Sequence, residues 1–263
     1  MTGDARAHAP QRTARPDADD EAVTHLPPSI ALVGGSSGMD EAVRRATSAV
    51  AFASNDLPLM SARARVAKRA LDITGSAVGL VALSPLLVAV GIVIRLSDGK
   101  PALFRQRRAG LGGHPFRIFK FRSMRVGADA ERAQLRATNA NEVEGGAAFK
   151  MANDPRVTRV GRILRRTSID ELPQLLNVLR GEMSLVGPRP HPYDDLAGYA
   201  SWHHARLAVK PGITGIWQIR GRRDVSFDRW VEYDLEYIRT RSFGMDVRLL
   251  LQTVPAMFRQ TGR

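Results

Sequence analysis

The chain has 263 residues and no cysteine, which excludes disulfide bonds and thiol chemistry. Its formal charge of +13 is unevenly placed, because residues 1–60 hold five Lys/Arg against eight Asp/Glu while the remainder holds 34 against 18. A surplus of this size indicates an anionic partner: nucleic acid, anionic lipid head groups or phosphorylated substrates.

The amino-terminal segment, residues 1–60, is predicted to be a disordered or weakly structured tail. Its first 28 residues are polar, acidic and proline-containing, with almost no large apolar side chains. Such a composition cannot bury enough apolar surface to fold. It also lacks the apolar core of a secretory signal.

A stretch of 22 residues without a charge runs from Ile73 to Ile94. As one helix it would be about 33 Å long, which is enough for the roughly 30 Å core of a bilayer. A buried helix of a soluble protein is the alternative, but such helices seldom run this far without a polar face. We therefore predict a basic-flanked membrane helix within residues 61–96.

The topology of this helix depends on Pro85, which lies at its midpoint and cannot donate to the carbonyl of Val81. Basic residues flank both ends of the apolar run, namely Arg63, Arg65, Lys68 and Arg69 before it and Arg95, Lys100, Arg105, Arg107 and Arg108 after it. Because basic flanks favour the cytoplasm, we predict a re-entrant helix hairpin broken at Ser84-Pro85, with both ends on one face. A single kinked span stays open as an alternative. Ser84 is expected to satisfy a backbone group freed at the break.

The residues after the apolar run predict a β-hairpin, with strands over Ala102–Arg107 and Phe116–Phe121 joined by a glycine turn. Alternation places Lys120 and Arg122 on one face of the second strand. From spacing alone, these two cations are expected on a solvated or lipid-facing edge.

The segment from Gly161 to Pro190 contains an adjacent Asp170-Glu171 pair. A short amphipathic helix is predicted just before the pair, over Val157–Arg166. A second helix is predicted to begin near Asp170, because this places Pro173 in the first turn, where a proline is tolerated. Its buried stripe is expected to comprise Leu172, Leu175, Leu176 and Leu179, and Gly181 ends it. An aspartate in this position is most often only a helix cap.

Later elements complete an α+β, mostly helical domain over residues 97–263. A strand at Ser184–Val186 enters a Pro-Arg-Pro turn that fixes the guanidinium of Arg189 on a stiff backbone, which suits recognition of a phosphate or planar group. Helices are predicted over Phe227–Thr240 and Met245–Phe258. The second is amphipathic, so it is expected either to lie at a membrane surface or to pack against the domain.

Five blocks of the chain, in order, resemble the bacterial sugar transferases, the monotopic polyprenyl-phosphate phosphoglycosyltransferases. The blocks are KRALDITGS…SP (Lys68–Pro85), FRQRRAG (Phe104–Gly110), FKFRSM (Phe119–Met124), TSIDELPQLLNVLRGEMSLVGPRP (Thr167–Pro190) and KPGITGIWQIRGR (Lys210–Arg222). The resemblance covers about Val66 to the end of the chain and leaves the first 60 residues outside. Longer relatives have extra transmembrane helices, and we expect this chain to lack them.

The resemblance implies transfer of a sugar phosphate from a UDP-sugar to undecaprenyl (polyprenyl) phosphate, with release of UMP. It implies a re-entrant membrane helix broken at Ser84-Pro85 and a catalytic Asp-Glu pair at Asp170 and Glu171. The expected setting is the cytoplasmic face of a bacterial plasma membrane, at the first membrane step of exopolysaccharide or glycan synthesis. The expected partners are anionic membrane lipids, downstream glycosyltransferases and a second copy in a homodimer, with no nucleic acid.

The mechanistic hypothesis assigns the nucleophile to Asp170, whose pKa the helix amino terminus is expected to keep low. Glu171, together with Asp170, is expected to hold a Mg²⁺ cofactor, the usual partner of diphosphates. The candidate substrate-binding cations are Arg165, Lys120, Arg122, Arg189 and Arg222.

Two other functions are compatible with the composition. A basic nucleic-acid-binding protein would explain the charge, but aromatic residues make up only 6% of the chain and the apolar run would have no role. A catalytically silent membrane scaffold that keeps the same fold without turnover is the third possibility, and only an activity assay excludes it.

Overall fold

The computed structural model describes residues 60–138, 143, 148–149, 151, 153–220 and 226–258. The described residues belong to one compact unit, Ser36–Arg263. The predictions for the tail lie outside the described residues.

The chain is mostly helical, with two small sheets, which confirms the predicted α+β class. The helices are α1 (Ala62–Ser97), α2 (Glu131–Ala137), α3 (Arg159–Thr167), α4 (Leu175–Arg180), α5 (Ile216–Arg220), α6 (Phe227–Thr240) and α7 (Phe243–Phe258). The strands are β1 (Leu103–Ala109), β2 (Pro115–Phe121), β3 (Ser184–Val186) and β4 (Gly212–Thr214). Three longer 3₁₀ helices lie at Ile169–Gln174, Tyr193–Gly198 and Ser201–Ala208.

Helix α1 is a single α-helix of 36 residues, so the predicted break into two helices at Ser84-Pro85 is not seen. A proline has a helical φ and removes only one hydrogen bond, so a helix can continue through it. The hydroxyl of Ser84 donates to the carbonyl of Val81 at 2.8 Å. This is the carbonyl that Pro85 leaves without its usual donor, so the role expected of Ser84 is confirmed.

One side of α1 packs against the domain along most of its length. Near its start, the carboxylate of Asp72 accepts from the backbone N–H of Leu185 at 2.8 Å. Near its end, Val90 and Ile94 form a buried cluster with Phe121 and Leu164. The helix is therefore joined to the domain at both ends of its apolar run.

The other side of α1 is apolar and exposed. Val78, Val81 and Val88 are each more than 60% exposed. Of the helices in the described part of the chain, α1 alone is long and apolar enough to cross a membrane. Exposing these side chains to water would be costly, so this face indicates membrane association.

Strands β1 and β2 pair antiparallel as the predicted hairpin, with Phe104 opposite Lys120 and Arg105 opposite Phe119. Side chains alternate between the faces of a strand, so Lys120 and Phe119 point in opposite directions. Phe119 is buried, and Lys120 and Arg122 are largely or fully buried as well. The expectation of a solvated or lipid-facing edge is therefore wrong for both cations.

The predicted leucine stripe after Asp170 is only partly correct. Residues Ile169–Gln174 form a 3₁₀ helix, and the α-helix begins only at Leu175. A 3₁₀ helix has three residues per turn, so it shifts the phase of the buried face. Leu175 and Val178 are buried, whereas Leu179 is 37% exposed.

Strands β3 and β4 pair in parallel and hold the Pro-Arg-Pro turn that follows β3. A Cβ on Gly212 would lie 2.0 Å from the backbone nitrogen of Gly187. Only glycine allows this close approach, and the Gly187 N–H then donates to the carbonyl of Thr214 at 2.8 Å. The turn therefore starts from a fixed backbone.

The remaining helical predictions fit closely. Helix α6 spans Phe227–Thr240 as predicted, α7 begins two residues before the predicted Met245, and α3 lies within one or two residues of the predicted bounds. Helix α7 buries Asp246 and Leu249 against the domain while Leu251 is 70% exposed. It packs and also presents an apolar residue outward.

Candidate active site

The acidic pair lies on the 3₁₀ helix that follows α3. The chain enters this helix through Ser168, whose φ of 57° is left-handed. The backbone N–H of Glu171 donates to the carbonyl of Ser168 at 3.1 Å, and no side chain caps the helix. Successive residues on a 3₁₀ helix point about 120° apart, so Asp170 and Glu171 face different neighbours.

The carboxylate of Glu171 is held by two cations from other elements. Lys120 of β2 donates to its Oε1 at 2.9 Å. Arg189 of the Pro-Arg-Pro turn donates to its Oε2 at 3.1 Å, and a second guanidinium nitrogen donates to Oε1. Burial opposes ionisation of Glu171, but the charges and hydrogen bonds of Arg189 and Lys120 outweigh it and hold its pKa well below the usual value.

Asp170 is in a different environment. Its side chain is buried and accepts no hydrogen bond from the described residues. Burial first, and then the charge of Glu171, raise its pKa to about 6, although Lys120 and Arg165 oppose the shift. The expectation that the helix amino terminus keeps this pKa low is therefore wrong, because burial exceeds the dipole of one short 3₁₀ helix.

The other predicted cations differ in whether they lie near the acidic pair. Arg165 is at the surface, its Nε donates to the hydroxyl of Ser123 at 2.9 Å, and its charge acts on Asp170. Arg122 is not brought to the acidic pair, because its guanidinium donates to the carbonyls of Asp98 and Gly99 just after α1. Arg222 lies outside the described residues.

Sequence reasoning missed a second set of buried charges beside Arg189. Arg108 of β1 donates to the carbonyl of Pro190 at 3.0 Å, and burial lowers its pKa to about 10, helped by the nearby charge of Arg189. Arg132 pairs with Asp195 at 2.7 Å. Arg108 stands in the FRQRRAG block, so its position in that block was the available signal.

A third missed group supports the turn itself. One guanidinium nitrogen of Arg206 donates to the backbone carbonyl of Arg189 at 2.8 Å and also to the carboxylate of Asp234. Another donates to the hydroxyl of Tyr199 at 2.9 Å. Arg206 and Asp234 are both buried, and neither stands in a block that drew attention in the sequence.

Three polar side-chain atoms at or beside the turn are buried without a hydrogen-bond partner in the described part of the chain, namely Nε of Arg108, Nδ1 of His191 and Nε1 of Trp217. The atoms of Arg108 and Trp217 are N–H donors, and the guanidinium of Arg189 lies over the ring of Trp217 at 5.8 Å. Buried donors normally have a hydrogen-bond partner. Unpaired donors beside the cations Arg108 and Arg189 therefore fit a site for an anion that offers several acceptor oxygens.

The acidic pair fits a metal ion only in part. Among the described residues no group of three or more His, Cys, Asp or Glu side chains could hold a metal. Mg²⁺ commonly uses one or two carboxylates together with substrate phosphates. Asp170, which accepts no hydrogen bond from the described residues, suits this arrangement, whereas both oxygens of Glu171 already accept hydrogen bonds from Lys120 and Arg189. The metal role of Glu171 stays a prediction, because a carboxylate that accepts these hydrogen bonds still has a lone pair that could bind a metal.

The fold and the site together define a membrane-associated protein in which cations surround a carboxylate that has no hydrogen-bond partner among the described residues. Such an arrangement can bind a phosphorylated anion and present a nucleophile to it. This is the class of a group-transfer site acting on phosphate at a membrane.

The chain belongs to the bacterial sugar transferase family, whose family model matches residues 63–260. It is 45% identical over 199 residues to the galactosyl transferase CpsE of Streptococcus agalactiae, covering 75% of this chain and 43% of CpsE. The chain thus spans less than half the length of CpsE.

Two other relatives are matched over more of their length. The exopolysaccharide production protein ExoY of Rhizobium meliloti is 42% identical over 193 residues, covering 73% of this chain and 85% of ExoY. The UDP-glucose:undecaprenyl-phosphate glucose-1-phosphate transferase of Caulobacter vibrioides is 42% identical over 211 residues, covering 76% of this chain and 73% of that enzyme.

Proposed function

We propose that this protein transfers a sugar 1-phosphate from a UDP-sugar to undecaprenyl phosphate and releases UMP. The reaction would be the first membrane step of an exopolysaccharide or related glycan, before glycosyltransferases extend the lipid-linked sugar. The Caulobacter relative is named for this reaction with glucose, and other relatives are named for galactose.

The reaction proceeds in two displacements at the β-phosphorus. An oxygen of Asp170 attacks this phosphorus, and the bond to the UMP oxygen breaks, so that UMP leaves with the electron pair. The sugar phosphate is then bound covalently to Asp170. A phosphate oxygen of undecaprenyl phosphate attacks the same phosphorus, forms the diphosphate and releases the carboxylate.

The observation that carries the proposal is the contrast between the two carboxylates. Glu171 is fully paired with Lys120 and Arg189, whereas Asp170 is buried and has no hydrogen-bond partner among the described residues. A carboxylate with weak solvation and no partner is the better nucleophile. Arg189, Lys120 and Arg165 would neutralise the diphosphate, and Glu171 would hold two of these cations in place.

Mg²⁺ fits this proposal as a cofactor that Asp170 would hold beside the bound substrate. Its chemistry there would be neutralisation of phosphate charge. Lys120 and Arg189 remain with Glu171, so their positive charge is available whether or not the metal is bound.

For the membrane helix we propose that both ends of α1 lie on the cytoplasmic face, which requires the continuous helix to bend at Pro85 rather than to break there. Lys68 donates to the backbone carbonyl of Val186 at 3.1 Å, near the amino end of the apolar run. Arg122 binds the carbonyls of Asp98 and Gly99 just after its carboxyl end. A span across the bilayer would separate these ends by the membrane, yet both contact the same folded domain.

The decisive experiment is UMP release from UDP-sugars by the purified full chain, with and without undecaprenyl phosphate. Asp170→Asn should lower UMP release at least about a thousandfold in both conditions, because the nucleophile is lost. Asp194→Asn makes the same chemical change at an exposed aspartate and should keep wild-type activity. Mass spectrometry should find the phosphosugar on Asp170 when the acceptor is omitted.

Two outcomes would contradict the proposal. Near-normal turnover of Asp170→Asn would remove the nucleophile assignment. A wild-type chain that releases no UMP from any UDP-sugar, while remaining folded in the membrane, would favour a silent scaffold.

A further inference from the structure

The face of the β-hairpin that points away from the acidic pair carries a groove rich in arginine. The groove has a volume of about 660 Å³ and lies between β1, β2 and α4. Its lining includes four arginines, which are Arg105, Arg107, Arg117 and Arg180. The volume is within the roughly 300–1,000 Å³ that is usual for small-molecule sites.

The strand register separates this groove from the catalytic cations. Arg105 stands opposite Phe119, and Arg107 stands opposite Arg117. Side chains alternate along a strand, so these residues share one face while Lys120, which binds Glu171, lies on the other. The groove is therefore a different site from the acidic pair.

The arginines of the groove are exposed and form no ion pair in the described part of the chain. The guanidinium carbons of Arg105 and Arg180 lie 5.3 Å and 4.8 Å from the ring of Phe119. Cation–π contacts of this kind hold the guanidinium planes while leaving N–H groups free to donate. The one carboxylate in the lining, Glu182, accepts instead from the side-chain amide of Asn177 at 2.7 Å.

Both walls of the groove are attached to the apolar helix α1. On the hairpin side, Phe121 packs against Val90 and Ile94 near the end of α1. On the α4 side, the carbonyl of Leu179, next to Arg180, accepts from Arg69 at 2.9 Å near the start of α1. If both ends of α1 lie at the membrane surface, as the proposed topology requires, the groove lies at the level of the lipid head groups.

We propose that this groove binds the phosphate of an anionic phospholipid head group. Arginine donates in pairs to phosphate oxygens, and basic pockets beside membrane helices are typical head-group sites. The apolar lining residues Leu103 and Leu176 would contact the first carbons of the lipid. The inference rests on the membrane association in the proposed function but not on the transferase chemistry.

The test uses the purified full chain in a neutral detergent, titrated with short-chain dioctanoyl phosphatidylglycerol. The comparison probes are dioctanoyl phosphatidylcholine, which is zwitterionic, and inorganic phosphate, which is the same anion without a lipid. Wild type should bind phosphatidylglycerol at least about tenfold more tightly than either probe. The double variant Arg105→Gln/Arg180→Gln should lose at least about tenfold in affinity, because two charge-assisted donors are removed.

The matched control is Arg229→Gln/Arg239→Gln, which removes the same charge from exposed positions on α6. It should bind the lipid within about twofold of wild type, because a change in net charge alone has a weak screened effect. An equal loss in the control, an unchanged affinity in Arg105→Gln/Arg180→Gln, or equally tight binding of inorganic phosphate would each overturn the head-group site.

UMP release separates this inference from the proposed function. The groove variant should release UMP at the wild-type rate in detergent, because neither arginine contacts the acidic pair. A wild type that binds the lipid but releases no UMP would support the groove and contradict the transferase proposal. A groove variant that loses affinity for phosphatidylglycerol but keeps the wild-type melting temperature would show that the loss is not due to unfolding.

Discussion

The guanidinium of Arg206 donates to the backbone carbonyl of Arg189 at 2.8 Å and is itself paired with the buried carboxylate of Asp234. Arg189 in turn holds Glu171. The position of the cation beside the acidic pair therefore depends on an ion pair that touches neither carboxylate of that pair. Arg206 is a positioning residue for the turn.

Changing Arg206→Lys should raise the KM for UDP-sugar about tenfold or more with a smaller effect on kcat, because lysine cannot bind Arg189, Asp234 and Tyr199 together. Arg206→Leu should also lower the stability by about 3–5 kcal/mol, because it leaves Asp234 buried and unpaired. Steady-state kinetics and thermal unfolding would separate the two effects. Equal losses in KM and kcat for Arg206→Lys would argue against a positioning role.

The pH dependence of UMP release should follow Asp170. Its pKa of about 6 means that the carboxylate is mostly neutral at pH 5 and mostly ionised at pH 7. The rate should therefore rise about tenfold per pH unit below 6 and level off above it. The measurement is single-turnover UMP release between pH 5 and 8. A plateau that continues down to pH 4.5 would support the low pKa expected from the sequence.

Asp170→Asn should stabilise the folded protein above pH 6 even as it abolishes activity. A folded pKa above the unfolded value means that the folded state loses stability as pH rises from about 4 to about 6, which amounts to on the order of 1–3 kcal/mol. The neutral amide avoids this cost. The melting temperature of the variant should exceed that of wild type at pH 7.5, and the difference should shrink at pH 4.5. A melting temperature below that of wild type at both pH values would show that the ionised carboxylate of Asp170 does not destabilise the folded protein.

The packing of the amino-terminal half of α1 against the domain should depend on Lys68, which pairs with Asp246 of α7 at 2.5 Å. The hydroxyl of Tyr237 donates to the same carboxylate at 2.8 Å. Lys68→Met should destabilise the protein by about 3–5 kcal/mol, because a buried carboxylate loses its cation. Adding Asp246→Asn should recover part of this loss. The free energy of unfolding in detergent, measured for wild type, the two single variants and the double variant, gives the coupling energy between the two residues. Strictly additive losses of this free energy would mean that they do not interact.

The proposed topology of α1 can be tested cleanly because the chain has no cysteine. Arg63→Cys and Arg95→Cys place single thiols at exposed positions on either side of the apolar run. Both should react with a membrane-impermeant maleimide in inside-out vesicles, and neither should react in intact spheroplasts. Reaction of one thiol from each side would establish a transmembrane span and reject the re-entrant topology.

Local patterns in the sequence were sufficient for several elements. Helix α6 and the hairpin strands follow from periodicity and turn residues, and the interaction of Ser84 with Val81 follows from the missing N–H of Pro85. These features depend on residues a few positions apart, so the chain determines them locally. The break at Pro85 was overestimated, since a single lost hydrogen bond does not end a helix that packs along its length.

The sequence by itself determined which residues could do chemistry, because an adjacent acidic pair, a Pro-Arg-Pro turn and an apolar run are visible in the chain. Tertiary structure decided what each of them does. Residues far apart in the chain, such as Lys120 and Arg189, meet at Glu171. Asp170, beside it, is buried and has no hydrogen-bond partner in the part of the chain that the structure describes. Burial and charge act through space, so the spacing of residues along the chain could not reveal that Arg122 serves the end of α1 or that Arg206 supports the turn.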